Sequence, residues 1–292
     1  MAWVPAQLPY LKPPDLLPAP LPIESRFFES TAVFRDDASY HRVVAVEPHF
    51  IVKYGRGVKE IEGQVLLFLE HHLEACHGLP KLYAMYRIAS TGHVCLIMQR
   101  MPGVSLNQLW PTLKNFEKSD ICTKLNEIFT SIRSIPAPPL YGSIDQGRFH
   151  HYLFYSSDAD KEICGPFDSE DNFNAALVKR LRSASAQMRK HSFKADFYER
   201  NLGRTLVGHK PIFSHSDLQR KNVIVHWDTL QGLTVSLIDW EEAGWFPAYW
   251  EYFAALQGVQ WDDDWSQRIE EIMEPWVSEA AVMKMVHQDL IF

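Results

Sequence analysis

The spacing of apolar and polar positions changes character along this chain, and the changes mark its elements. Residues 1–24 show no period and carry seven prolines in MAWVPAQLPYLKPPDLLPAPLP. Proline fixes φ and removes a backbone donor, so an extended or polyproline-like arm is expected, laid across the surface or left disordered. From Thr31 to Tyr54 the pattern becomes that of strands. Val43–Val46 and Phe50–Lys53 are apolar, β-branched and aromatic, with Glu47-Pro48-His49 turning between them. A glycine-containing loop, Tyr54–Gly57, leads to a helix over about Lys59–His72, in which Ile61, Val65, Leu69 and Leu73 recur four apart. Glu62 lies beside that stripe, close enough to the core side to reach inward. Lys81–Ile88 and Val94–Met98 read as two further strands, ended at Gln99–Gly103 by Pro102 and Gly103.

Beyond that point the period is helical. Ser105–Trp110 opens a helix, Phe116–Ser134 repeats Ile121, Leu125, Ile128 and Ile132 at helical spacing, and Phe173–Phe197 and Trp250–Leu290 continue the pattern. Residues 140–172 are irregular. The plan is an arm (1–24), a small β-rich lobe (25–102) and a larger, mainly helical lobe (103–292).

Composition narrows the class of protein. The chain has 292 residues, 46% hydrophobic and 22% charged, which is globular and long enough for one large or two moderate cores. It has no apolar run of the about 18 residues that a membrane span needs, and its start lacks the pattern of a signal peptide. Cys76, Cys95, Cys122 and Cys164 lie far apart with no CxxC pair, which argues against a disulfide framework or a zinc site and fits a reducing cytoplasm. The net charge of −7 carries no basic block, so nucleic acid is a poor partner, and it mildly favours a cationic substrate.

The chemistry concentrates in Phe213–Pro247, FSHSDLQRKNVIVHWDTLQGLTVSLIDWEEAGWFP. Asp217 is followed five residues later by Asn222, and Asp239 closes the apolar run Val235–Ile238. Carboxylates placed near a core must be neutralised, paired, hydrogen-bonded or bound to a metal. Hard oxygen ligands of this kind suit Mg²⁺, which takes one or two carboxylates plus substrate phosphates. The stretch therefore suggests phosphoryl transfer.

Four features in order resemble the aminoglycoside phosphotransferase family: Lys53 in FIVKY, Glu62 in EIEGQVLLFLE, His215, Asp217 and Asn222 in HSDLQRKN, and Asp239, Gly244 and Pro247 in IDWEEAGWFP. The resemblance covers roughly Val43–Phe253 and is most specific in the last two motifs. It implies an α+β, bilobal protein-kinase-like fold, with an N-terminal antiparallel-sheet lobe bearing one helix and a larger helical lobe. The implied activity moves the γ-phosphate of ATP, with Mg²⁺, to a hydroxyl of a small molecule. In that scheme Asp217 is the base, Asn222 and Asp239 hold the metal, and Lys53, oriented by Glu62, contacts the phosphates. The linker Gln99–Met101 reads the adenine edge through its backbone.

Two departures accompany the resemblance. Ser30–Val46 contains no glycine, so a glycine-rich phosphate cover is absent or replaced by the Ser30-Thr31 region or the Glu47–His49 turn. Ser216 stands between His215 and Asp217 where relatives often have glycine. The missing glycines motivate an alternative, a catalytically weak or inactive nucleotide-binding protein. A protein Ser/Thr kinase is disfavoured because Trp240-Glu241 follows Asp239 and no activation segment is recognisable. Trp261–Trp265, WDDDW, reads as an aspartate-rich helix start or as a holder for an ammonium group.

Overall fold

The computed structural model describes residues 3–37, 40–73, 78–187, 191–230 and 232–291. Strand β1 (Tyr10–Leu11) is followed by α1 (Glu24–Phe28), β2 (Val33–Asp37), β3 (His41–Val46), β4 (Phe50–Gly55) and α2 (Glu60–His72). Then come β5 (Leu82–Arg87), β6 (Val94–Gln99), β7 (Val104–Ser105) and α3 (Leu106–Leu109). Helices α4 (Asn115–Arg133), α5 (Lys161–Cys164), α6 (Glu170–Gln187) and α7 (Phe193–Thr205) lead to β8 (Pro211–Ser214). The chain closes with β9 (Val223–Asp228), β10 (Gly232–Leu237), β11 (Gly244–Pro247), α8 (Trp250–Gln257), α9 (Trp265–Ile272) and α10 (Val277–Ile291). The architecture is α+β, and no helix among the described residues is long and apolar enough to cross a membrane.

Two compact units divide these elements. One comprises Val4–Leu109 and Val223–Glu241, the other chiefly Trp110–Asn222 and the chain from Glu242 on. The β9–β10 hairpin joins the first unit, although it lies far beyond the expected boundary at 102, because β9 pairs with β7 just after the linker.

The first unit is built on a six-stranded sheet, ordered β1-β5-β6-β4-β3-β2 and antiparallel throughout. Strand alternation gives it two different faces. One carries Val44, Val46, Phe50, Val52, Cys95 and Ile97, packed with Phe27 of α1. The other carries a cross-strand row in register, Val43, Lys53, Leu96 and Met85. Helix α2 covers this row, burying Ile61, Val65 and Leu69 together with Glu62.

The proline-rich arm is part of this unit. Tyr10–Leu11 pairs with β5, Lys12 lies 2.5 Å from Glu70, and Gln64 exchanges two hydrogen bonds with the backbone of Ala6 at 2.9 and 2.8 Å. Leu17, Ala19 and Leu21 pack against the apolar face. Between its prolines the arm thus supplies the cover that a single-layered sheet needs.

In the second unit α4 buries Ile121, Leu125, Ile128 and Ile132, as its period predicts. Two expected helices are broken. The 173–197 segment is two helices, α6 and α7, the second begun where the Ser192 side chain accepts the N–H of Ala195. Residues 188–190 between them lie outside the described set. The tail is three helices, interrupted at Gly258 and before Val277, where Pro275 removes a donor. An aromatic cluster including Phe149, Phe154, Phe173 and Phe246 packs around Trp250, with Phe246 stacked on Trp250 at 4.5 Å. Cys95, Cys122 and Cys164 are buried free thiols, and Cys76 lies outside the described residues.

Removing residues 1–22 uncovers the Val44–Ile97 face. The expected cost is about 2–4 kcal/mol of stability from re-exposed apolar surface. Denaturant titration of the truncated and full chains checks it.

Candidate active site

Lys53 is set by register: its place in β4, opposite Val43 on one side and Leu96 on the other, puts its side chain under α2. It is only 5% exposed. An ammonium buried to this degree needs partners, and it has three. Glu62 Oε2 and Asp239 Oδ1 each lie 2.8 Å from Nζ, and Glu241 Oε2 lies at 3.1 Å. Burial alone would push the Lys53 pKa down; Glu62, Asp239 and Glu241 outweigh it and hold it well above the usual lysine value. For Glu62 burial wins: it is pushed up to about 7 against the pull of Lys53, with Asp239 and Glu241 adding to the rise.

Asp239 is in the turn after β10 with φ of 69°, and Trp240 fixes that turn by donating its indole N–H to Leu237 O at 3.0 Å. Glu62, Asp239 and Glu241 each offer a carboxylate oxygen, all within 4.8 Å of one another. This all-oxygen donor set, with three carboxylates against one ammonium, fits a hard divalent cation such as Mg²⁺. Glu241, two positions after Asp239, reads in the sequence as a metal-proximal carboxylate or as a loop salt bridge, and the structure pairs it with Lys53 within this group.

In the second unit the His215–Asn222 loop joins β8 to the start of β9. Asn222 Nδ2 donates to Asp217 Oδ2 at 2.8 Å and to Asp217 O at 3.0 Å. That commitment leaves the amide oxygen as the atom of Asn222 suited to a cation. Gln219 Nε2 donates to Asp217 Oδ1, and His215 Nδ1 accepts the Asp217 N–H at 3.2 Å, so His215 braces the loop. The whole turn hangs on Glu251, fully buried on α8, whose Oε2 accepts the N–H groups of His215 at 2.6 Å and Ser216 at 3.1 Å. Sequence reading missed Glu251. Its signal was one carboxylate inside the otherwise apolar WEYFAAL.

Ser216 has φ of 71°, in the left-handed region that glycine enters freely, and its buried hydroxyl oxygen has no hydrogen-bond partner among the described residues. Two aspartates of the WDDDW stretch are engaged in contacts within this unit. Asp263 binds Arg220 at 2.5 Å and the N–H of Trp265, while Asp264 binds Lys118, Arg268 and the indole of Trp110. Arg220 also lies over the rings of Trp110 and Trp265, so this cluster anchors the far end of the loop.

Gln99 and Met101 sit at the end of β6 and just beyond it. The N–H of Gln99 is spent on Lys81 O and that of Arg100 on His49 O, whereas Met101 N–H has no partner among the described residues. Backbone readout from this linker would therefore use the N–H of Met101. His151 is buried, with Nδ1 accepting the Leu153 N–H and Nε2 3.5 Å from Glu242.

The phosphotransferase enzyme family, APH, matches residues 31–274. The chain belongs to this family. It is accordingly an enzyme, a small-molecule kinase. No curated protein sequence matches it. Solved structures share its protein-kinase-like fold at low identity. The ADP-bound aminoglycoside phosphotransferase APH(2'')-Ib aligns at 17% identity and TM-score 0.59, covering 89% of this chain and 84% of that one. A streptomycin-ATP complex of APH(2'')-IIa aligns at 15% and 0.56, covering 89% of each. A putative fructosamine-3-kinase from Haemophilus somnus aligns at 15% and 0.58, covering 91% and 86%.

Two outcomes follow. Ser216→Gly relieves a strained φ and removes an unpartnered hydroxyl, so a gain of about 1 kcal/mol is expected in chemical unfolding. The folded-state pKa of Glu62, about 7, lies above its ordinary value of 4.5, so its stability contribution is complete below about pH 4.5 and lost as pH rises through about 7. Lys53 is protonated in both states across that window. Glu62→Gln should therefore flatten the pH dependence of unfolding free energy between those values.

Proposed function

We propose that this phosphotransferase moves the γ-phosphate of ATP to a hydroxyl of a small molecule, with Mg²⁺ as cofactor. The observation that carries the reading is the buried Lys53 ammonium held among Glu62, Asp239 and Glu241. Such a group offers one fixed positive charge to phosphate and surplus carboxylate oxygen to a divalent cation. Bound there, the cation would neutralise charge on the transferring phosphoryl group. Asp239 and Asn222 would hold it, with Glu241 as a further oxygen donor, and Lys53 would contact the phosphates. Asp217, positioned by Asn222, Gln219 and the braced loop, would orient the acceptor hydroxyl and take its proton. Residues 25–102 would bind the nucleotide, Met101 reading the adenine edge with Gln99 beside it, and 103–292 would carry the catalytic loop and the acceptor pocket. A reducing cytoplasm would suit the three buried free thiols.

The acceptor is a small hydroxyl compound, and an amine-bearing one is favoured by the net charge of −7 and by the streptomycin bound to a structural neighbour. ATP consumption against a library of hydroxylated amines, sugars and alcohols tests the reading. With the acceptor found, Asp217→Asn should lower kcat by about 10²–10⁴-fold. Full rate in that variant refutes the assigned base. Failure of the wild-type chain to gain thermal stability with ATP and Mg²⁺ refutes the nucleotide site itself.

A further inference from the structure

The glycines that a phosphate cover needs are missing from Ser30–Val46, but close backbone approach is not. The hairpin of β2 and β3 returns at Tyr40–His41 and meets the Tyr54–Gly57 loop. A Cβ on Gly55, whose φ is 137°, would come within 2.7 Å of Tyr40 O and His41 Cα. A Cβ on Gly57 would enter the Tyr40 ring at 2.4 Å, and the Gly57 N–H donates to Tyr40 O at 2.7 Å. The bare backbone has changed sides: Gly55 and Gly57 lie beneath the corner instead of within it.

Register then places His41. Arg42 pairs with Tyr54 and Val43 with Lys53, so strand alternation puts the side chains of His41, Val43 and Lys53 on one sheet face. Directly across from His41, Gly55 presents no side chain. His41 is 4% exposed, its Nδ1 is buried without a hydrogen-bond partner among the described residues, and it lies within electrostatic reach of Lys53, Asp239 and Glu241. Burial, Lys53 and Arg35 push its pKa down, so the ring is neutral and carries one N–H donor. A buried polar atom left unpaired beside such a cluster calls for a partner.

The other two segments fit worse. Ser30 spends its hydroxyl on Ala45 O at 2.7 Å. The Glu47–His49 turn is at the opposite end of β4 from Lys53, about 10 Å along the strand, and is tied to the linker through Arg100.

We propose that the Tyr40–His41 corner is the phosphate cover of this enzyme, with the His41 imidazole contacting the terminal phosphates of a nucleoside triphosphate. The proposal rests on the phosphotransferase reading above and supplies the element its sequence lacks. Calorimetric titration of the full chain with MgATP and with adenosine tests it, using wild type, His41→Phe and His41→Asn. His41→Phe keeps an aromatic ring against Tyr40 and deletes both nitrogens; its MgATP affinity should fall about tenfold or more, with adenosine affinity unchanged. His41→Asn, which retains an N–H donor on a shorter side chain, should show a smaller but still MgATP-selective loss, about threefold or more; if His41→Phe does not fold, that loss in His41→Asn carries the test. Wild-type MgATP affinity in the variants, or equal losses for MgATP and adenosine, overturns it and leaves the phosphotransferase reading standing. A wild-type chain that binds no MgATP removes both.

Discussion

The sheet-bearing unit depends on one burial problem, the Lys53 ammonium beneath α2. A charge removed from water must be compensated within hydrogen-bonding distance. Three parts of the chain meet that need together: β4 fixes the lysine by register, α2 turns Glu62 inward, and the turn after β10 brings Asp239 and Glu241. The compensation overshoots, with three carboxylates facing one ammonium. Part of that excess is absorbed by Glu62, whose rise to about 7 makes protonation accessible near neutral pH. The rest is an electrostatic demand for a further cation, the condition under which hard-metal sites form.

The loop bearing Asp217 shows the same economy with a different device. Its backbone, not its side chains, is tied to a buried charge, since Glu251 accepts two consecutive N–H groups. Burial raises the Glu251 pKa, and His215, Arg133 and these N–H groups pull against that rise. Both chemistry-bearing turns also hold a non-glycine residue at positive φ, Ser216 at 71° and Asp239 at 69°. Strain of this kind persists only where surrounding contacts over-determine the backbone. Glu251 supplies that constraint for Ser216, and the Trp240 indole supplies it for the turn at Asp239.

Strands and helices with a sustained period were legible in the sequence: β3, β4, α2, β5, β6 and α4 lie within a few residues of their expected bounds. Periodicity could not see the breaks between α6 and α7 or within the tail, because a capping serine or a proline interrupts a helix without disturbing its apolar spacing. It also missed β8 and β11, four residues each, which pair with each other in a two-stranded sheet. Because proline masks any period, the sequence left the arm either laid across the surface or disordered; it is laid across the sheet, with Leu17 and Leu21 against the apolar face. Asp217 with Asn222, and Lys53 with Glu62, could be read from motif order and are brought together in pairs. Glu241 could be read as an acidic neighbour of Asp239 but its pairing with Lys53 could not, and Glu251 could not be read at all, because it acts by proximity to a loop distant in sequence.

The missing glycine motif illustrates why a pattern and its physical cause can separate. A glycine-rich cover works because its backbone must approach another surface without Cβ atoms intervening. That is a requirement on a contact, and a contact has two sides. Gly55 and Gly57 satisfy it from beneath, which leaves Tyr40 and His41 free to carry side chains where a glycine loop would carry none. A side chain there brings a directed ring nitrogen to the same sheet face as Lys53, whereas a bare loop offers only main-chain N–H groups. Loss of the motif therefore does not by itself argue for loss of the site, and the residues that replace it are where its selectivity among phosphates would reside.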